Sequence, residues 1–155
     1  MNRYRPYKPS DAIACFRVFR AAIQIGAADH YTQQQRDAWA PDTEMPDNWP
    51  QSFENQLSWV ATRWGRLNGF MTMGYDGHVD LAFVSPDYMG RGIGLALYRK
   101  LEAAARDRNL PLMTTEASLT AKPFFERQGW QVEARQSVIR NGVILPNYRM
   151  YLILN

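Results

Sequence analysis

The chain has 155 residues, 46% of them hydrophobic, with a formal net charge of +3. That length supports one hydrophobic core, and no repeat, linker or low-complexity tract divides it, so a single domain over residues 1–155 is expected. The one cysteine, Cys15, excludes an intrachain disulfide and a cysteine-ligated zinc cluster, while the lack of a secretory leader or of roughly 20 consecutive apolar residues argues against secretion and membrane spanning and for a cytoplasmic address.

Taken in chain order, Arg3 to Tyr7 reads as a first strand. Ser10 or Asp11 caps a helix whose Ile13, Phe16, Val18, Phe19, Ala22 and Ile23 mostly share one side, with Cys15 as core filler. Thr32 and Gln35 fit a capping box for a second helix that stops near Pro41. Between Asp29 and Asp47 stand five acids (Asp29, Asp37, Asp42, Glu44, Asp47) against one arginine, Arg36, which leaves the rest of the chain basic. The basic remainder suits a ligand rich in phosphate. The acidic stretch, with His30, Tyr31 and Trp39 inside it and Trp49 just after it, suits a cationic amine through long-range attraction and an aromatic wall. A solvated loop with tryptophans as packing anchors is the alternative. No basic stripe with interleaved aromatics is present, so nucleic acid is not an expected partner.

"QSFENQ" adds a helical turn, and Leu57 to Val84 reads as successive antiparallel strands turned near Gly65 and at Asp76-Gly77. Strict alternation along the last of these puts Asp80, Ala82 and Val84 on one face and Val79, Leu81 and Phe83 on the other. Next comes "VSPDYMGRGIG", with Gly90, Gly92 and Gly94 free of side chains, and a helix to about Asn109 marked by Ile93, Leu97, Leu101 and Ala104. Unpaired N–H groups and the positive end of the dipole at that helix start suit phosphate oxygens. A P-loop is excluded, because no Lys-Ser or Lys-Thr follows the glycines. A dinucleotide fingerprint stays open, although G-x-G-x-x-G counted from Gly90 or Gly92 lands on Leu95 or Leu97; Glu116 does stand about 20 residues downstream. The remainder reads as a short strand "LMTTEA", a helix in "SLTAKPFFERQGW", a strand from Trp130 to Ile139, a turn at Asn141-Gly142 and a last strand from Tyr148 to Leu154.

Val84-Ser-Pro followed by Met89-Gly90-Arg91-Gly92-Ile93-Gly94 resembles the pyrophosphate loop of the GCN5-related N-acetyltransferases (GNAT), commonly Gln/Arg-x-x-Gly-x-Gly/Ala after a strand ending in Val-x-Pro. "SLTAKPFFERQGW" resembles the late helix of that family, with its aromatic pair Phe124-Phe125 and closing Gly-aromatic. The two motifs stand about the expected distance apart, and the likeness covers most of the chain, more loosely in its first third. It implies an α/β (α+β) GNAT fold, a mixed and mostly antiparallel splayed sheet with helices on both faces, and resembles a small bacterial branch of these enzymes. Acetyl-CoA would lodge where the sheet opens beside the Val84 strand, without a metal. A primary amine of a small molecule, or an amino group of a peptide or protein, would attack the thioester directly in a ternary complex. A homodimer through exposed C-terminal strand edges is expected by fold analogy. The alternatives are a non-catalytic acyl-CoA-binding or sensor domain and a nicotinamide-dinucleotide enzyme.

The resemblance places Phe83, Val84, Met89, Gly90, Arg91, Gly92, Ile93, Gly94, Leu95, Ser118, Phe124, Phe125 and Arg127 around the cofactor. Arg91 and Arg127 are the charges expected at its phosphates. The chemistry needs a base for the ammonium, a donor for the oxyanion and a proton source for the thiolate. Main-chain N–H of the Val84 strand fills the second role. Asp80 is the first choice of base and Glu116 the next; a free aspartate, at a pKa of about 3.9, would need burial or a water relay. The family's usual tyrosine is Phe125 here, so the proton source becomes Tyr148, Ser118 or water, or the thiolate leaves without one. Ser118 stands where an asparagine is frequent, and Met89 where a glutamine or arginine is. His30, Tyr31, Trp39 and Trp49 are the expected acceptor-site residues.

Overall fold

A computed structural model describes residues 1–155. Seven strands form one sheet: β1 (Arg3–Pro6), β2 (Gln56–Arg63), β3 (Arg66–Gly74), β4 (His78–Val84), β5 (Leu112–Ser118), β6 (Gln131–Arg140) and β7 (Val143–Ile153), in the order β1-β2-β3-β4-β5-β7-β6. Only β4 and β5 run parallel. One parallel pair is not the doubly wound sheet of a dinucleotide-binding fold, and that alternative falls on topology.

Four α-helices cover the sheet: α1 (Ala12–Ala21), α2 (Gln33–Trp39), α3 (Ile93–Asp107) and α4 (Lys122–Arg127). A π-type turn, Ala22–Gly26, prolongs α1. The capping box of α2 is made as its sequence predicts, with Gln35 N–H donating to Thr32 Oγ1 at 3.1 Å and Thr32 N–H to Gln35 Oε1 at 2.9 Å. None of the helices is long and apolar enough to cross a membrane.

The sheet buries a core on each face. Leu97 and Leu101 of α3, Phe125 of α4 and Trp130 pack with Met71, Met73, Met113 and Met150 on one side. Cys15, Phe16 and Val18 of α1 pack with Trp49, Phe53 and Phe70 on the other. Ile13, expected inside, is 48% exposed.

Two expectations need correcting. Strict alternation fails on β4, where Met71 pairs with Ala82 but Met73 pairs with Val79, so that Asp80 and Leu81 together oppose Thr72. This is a β-bulge, and it flips the phase of the strand. Val79 therefore joins Ala82 and Val84 on the α3 face, while Leu81 and Phe83 lie against α1. Thr72 Oγ1 holds the bulge by accepting the Leu81 N–H at 3.0 Å. The last strand also starts at Val143, five residues ahead of the expected Tyr148, and runs through Pro146. Pairing with β5 ends at Asn147, so proline sits just past the doubly paired stretch, where a missing N–H is tolerated.

Candidate active site

The parallel pair is short. Its rungs are His78–Thr114 and Val79–Thr115, pinned by Thr115 Oγ1 donating to Val79 O at 2.9 Å and by His78 Nδ1 lying 2.8 Å from Thr114 Oγ1. Beyond them the strands part. Asp80 and Glu116 are the next residues on either side of the gap, and both exposed side chains line a cavity of about 150 Å³. The same gap exposes backbone. Leu81 N–H points at Thr72 and Ser85 N–H at Asn68 O, both toward β3; the alternating residues Ala82 and Val84 thus turn theirs toward the side that β5 has vacated.

Below the fork the glycine loop opens a second cavity, of about 430 Å³. Gly90 and Gly92 have φ of 75° and 82°, and a Cβ on either would meet nothing within 4 Å. Left-handed backbone next to open space is what these two glycines supply. Gly94 differs: it lies inside α3 at ordinary φ, and a Cβ there would touch Phe124 Cε1 at 3.6 Å. Ala96 N–H donates to Gly92 O and no side chain caps the helix, so the N–H groups of Ile93, Gly94 and Leu95 have no carbonyl one turn back. Val84, Met89, Ile93, Leu95, Phe124 and Arg127 line this groove, faced by Ala22, Ile23 and Ala27 of the first helical arm. Arg91 is outside the lining, its guanidinium 5.4 Å above the Tyr88 ring.

Trp39, Ala82, Phe83, Ser118, Ala121 and Phe125 line both cavities, which therefore meet at the fork. Phe125 is 2% exposed. Ser118 Oγ accepts the Ala121 N–H at 3.0 Å, which leaves its own proton free to donate. Trp39 stands edge-on to Tyr31 and Phe83, at 5.4 and 6.2 Å. Tyr31 lines the smaller cavity, but its hydroxyl is engaged twice, donating to Pro146 O at 2.6 Å and accepting from Leu119 N–H at 3.0 Å. Burial pushes its pKa up, so the hydroxyl stays protonated and ties the approach to α2 to β7.

Besides Arg91, three expected residues lie elsewhere. Trp49 is buried among Phe16, Phe53 and Phe70, its indole N–H bonded to Ala12 O at 2.9 Å, and borders neither cavity. Its apolar bulk fills the α1 core. Tyr148 lies on the α4 face of β7, where its ring is flanked by Lys122 and Arg135 and its hydroxyl accepts from Arg135 Nη1 at 3.1 Å. Strand alternation sends it away from both cavities, in contrast to its neighbour Asn147. His30 is exposed, 3.2 Å from Thr120 Oγ1 and outside both linings. The smaller cavity instead gains His78, Arg140 and Asn147. No local motif marks the last two; their place depends on how β6 and β7 curl past the end of β5.

The family model described as an acetyltransferase (GNAT) domain matches residues 27–152. The chain is 34% identical over 146 residues to a protein of Escherichia coli (strain K12) named as the uncharacterized N-acetyltransferase YafP, covering 94% of this chain and 92% of that one. The crystal structure of a GCN5-related N-acetyltransferase from Rhodopseudomonas palustris is 34% identical and superposes with a TM-score of 0.93 over 99% of this chain and 96% of its own. YncA of Salmonella typhimurium, called a putative acetyltransferase and solved with acetyl-CoA, shares the fold at 18% identity, with a TM-score of 0.70 over 100% and 95% of the two chains.

Proposed function

The chain belongs to the GNAT acetyltransferase family, and on that premise we propose that it moves the acetyl group of acetyl-CoA to a primary amine by direct attack in a ternary complex. The observation that carries this reading is the junction itself: a groove ending in a glycine cradle and a cavity bearing two carboxylates share a wall at the fork of β4 and β5. The groove suits coenzyme A in its chemistry. Open left-handed glycines, unpartnered N–H groups and the dipole of the fifteen-residue α3 suit a pyrophosphate, with Arg127 in the lining. The apolar walls suit the pantetheine arm.

Acetyl-CoA supplies an activated thioester, and the chain's own groups do the rest. The Ala82 and Val84 N–H groups, aimed into the gap, stabilise negative charge on the thioester oxygen. Asp80, with Glu116 across the fork, draws a proton from the incoming ammonium; because both are exposed rather than buried, a water relay carries it. Attack of the nitrogen forms the amide bond and breaks the carbon–sulfur bond. Ser118, whose proton is free at the shared wall, hydrogen-bonds to the departing thiolate in place of the missing late tyrosine and relays to it the second proton, which the nitrogen loses on becoming an amide.

Two measurements test this. Acetyl-CoA at about 100 times its dissociation constant should add roughly 2.7 kcal/mol to the unfolding free energy, with no such effect from NADH. Asp80→Asn should lower kcat with a reactive amine about 100-fold, and Glu116→Gln by less. The absence of an acetyl-CoA effect, or full turnover in both variants, overturns the reading.

A further inference from the structure

The smaller cavity holds a charge that acetyl transfer does not use. Arg140, the last residue of β6, lines it together with Asp80 and Glu116. The ion pairs of the chain are Arg5–Asp11, Arg20–Asp42, Arg106–Glu102, Lys122–Glu126 and Arg149–Glu133. Neither Arg140 nor either carboxylate is among them. One cavity thus contains both signs of charge, and they do not neutralise each other.

The register of β7 explains why. Glu116 lies opposite Arg149, Ser118 opposite Asn147 and Arg140 opposite Val143. Six residues of β7 therefore separate the acidic end from the basic end, about 20 Å between backbones and less between side-chain tips. Val138, Leu145 and Pro146 line the cavity between them. Asn147, two residues from the acidic end and four from the basic one, also lines it, and its Oδ1 is buried without a hydrogen-bond partner. The cavity is negative at the fork, has a spare acceptor just beyond it, is apolar after that and positive at the hairpin.

Resting on the acetyltransferase reading above, we propose that the acceptor is an extended zwitterion, its amine at Asp80 and Glu116 and its carboxylate held by Arg140, as in a long amino acid or a short peptide with free termini. A guanidinium fork matches a carboxylate bidentately, and a free arginine needs no competing partner displaced before it binds one. An N–H toward the amine end of the molecule would meet Asn147 Oδ1. A plain alkylamine would leave Arg140 and Asn147 idle.

The test uses matched acids and amides: 6-aminohexanoic acid and its amide, and glycyl-L-phenylalanine and its C-terminal amide. Binding to the full chain saturated with coenzyme A is measured by calorimetry, which needs no turnover. Each acid should bind about tenfold more tightly than its amide, a modest ratio because Arg140 is exposed. Arg140→Gln should bring that ratio to about one, and Arg140→Lys should keep part of it, with unchanged unfolding midpoints. Equal binding of acid and amide by the unaltered chain, equal weakening of both in Arg140→Gln, or no binding of either acid overturns the proposal. Failure of the acetyltransferase reading is a separate result: no stabilisation by acetyl-CoA and no thiol release from any amine.

Discussion

Gly92 and Gly94 stand two positions apart in one loop and perform different work. At Gly92, φ of 82° lies where an L side chain costs roughly 1–2 kcal/mol, and a Cβ would project into open space beside the groove. Gly92→Ala should destabilise by about that amount and raise the acetyl-CoA dissociation constant at least tenfold. Gly94 has helical backbone with room for a methyl group against Phe124. Gly94→Ala should be neutral or add less than about 1 kcal/mol, since Gly94 stands in the first turn of α3, where the preference of a helix interior for alanine over glycine acts only in part. Thermal unfolding with and without acetyl-CoA separates the two. The glycine spacing was legible in the sequence, whereas the distinction between the glycines was not, because it rests on a dihedral angle at one and on the distance to Phe124 at the other.

At the level of elements, the β4 bulge decides which side chains reach the cavity. Its extra residue re-phases the strand so that Val79 enters the α3 core, while Asp80 is left exposed at the fork. Thr72 is the hinge of that arrangement, fully buried and accepting the Leu81 N–H. Thr72→Val keeps the shape but orphans a main-chain donor, which costs about 1–3 kcal/mol. It should also lower kcat while leaving acetyl-CoA affinity unchanged, since the glycine loop lies further along the chain. Thr72→Ser, which keeps the oxygen, should restore both. Denaturant unfolding and steady-state kinetics of the two variants check this. Alternation read from the sequence cannot reveal a bulge, because the insertion exists only relative to the partner strand.

At the scale of the whole molecule, a clamp between Arg5 and Asp11 joins the edge strand to the start of α1. Arg5 Nη1 and Nη2 donate to Asp11 Oδ2 and Oδ1 at 2.8 and 2.9 Å, and Lys8 N–H donates to Oδ2 at 2.9 Å. Burial alone would raise the Asp11 pKa, but these hydrogen bonds and the Arg5 charge outweigh it and hold the carboxyl below its ordinary value. The unfolded chain, at about 3.9, thus binds the proton more readily than the folded one. The clamp stabilises fully above that unfolded value and is lost as the pH falls through the folded one. Asp11→Asn should cost about 1–3 kcal/mol at pH 7 and reduce the acid sensitivity of stability below about pH 4, as read by urea unfolding at pH 7 and pH 3.

The sequence by itself determined the succession of strands and helices, the α2 capping box, the glycine loop and the membership that the two motifs announced. Each rests on residues near one another in the chain, where backbone geometry and side-chain period act directly. Only the tertiary structure decided that Trp49 belongs to the α1 core, that Tyr148 faces away from the fork, and that Arg140 shares a cavity with Asp80. Those placements follow from strand order, from a bulge and from the face each residue takes in the sheet, and no local preference encodes which distant segment a strand will meet.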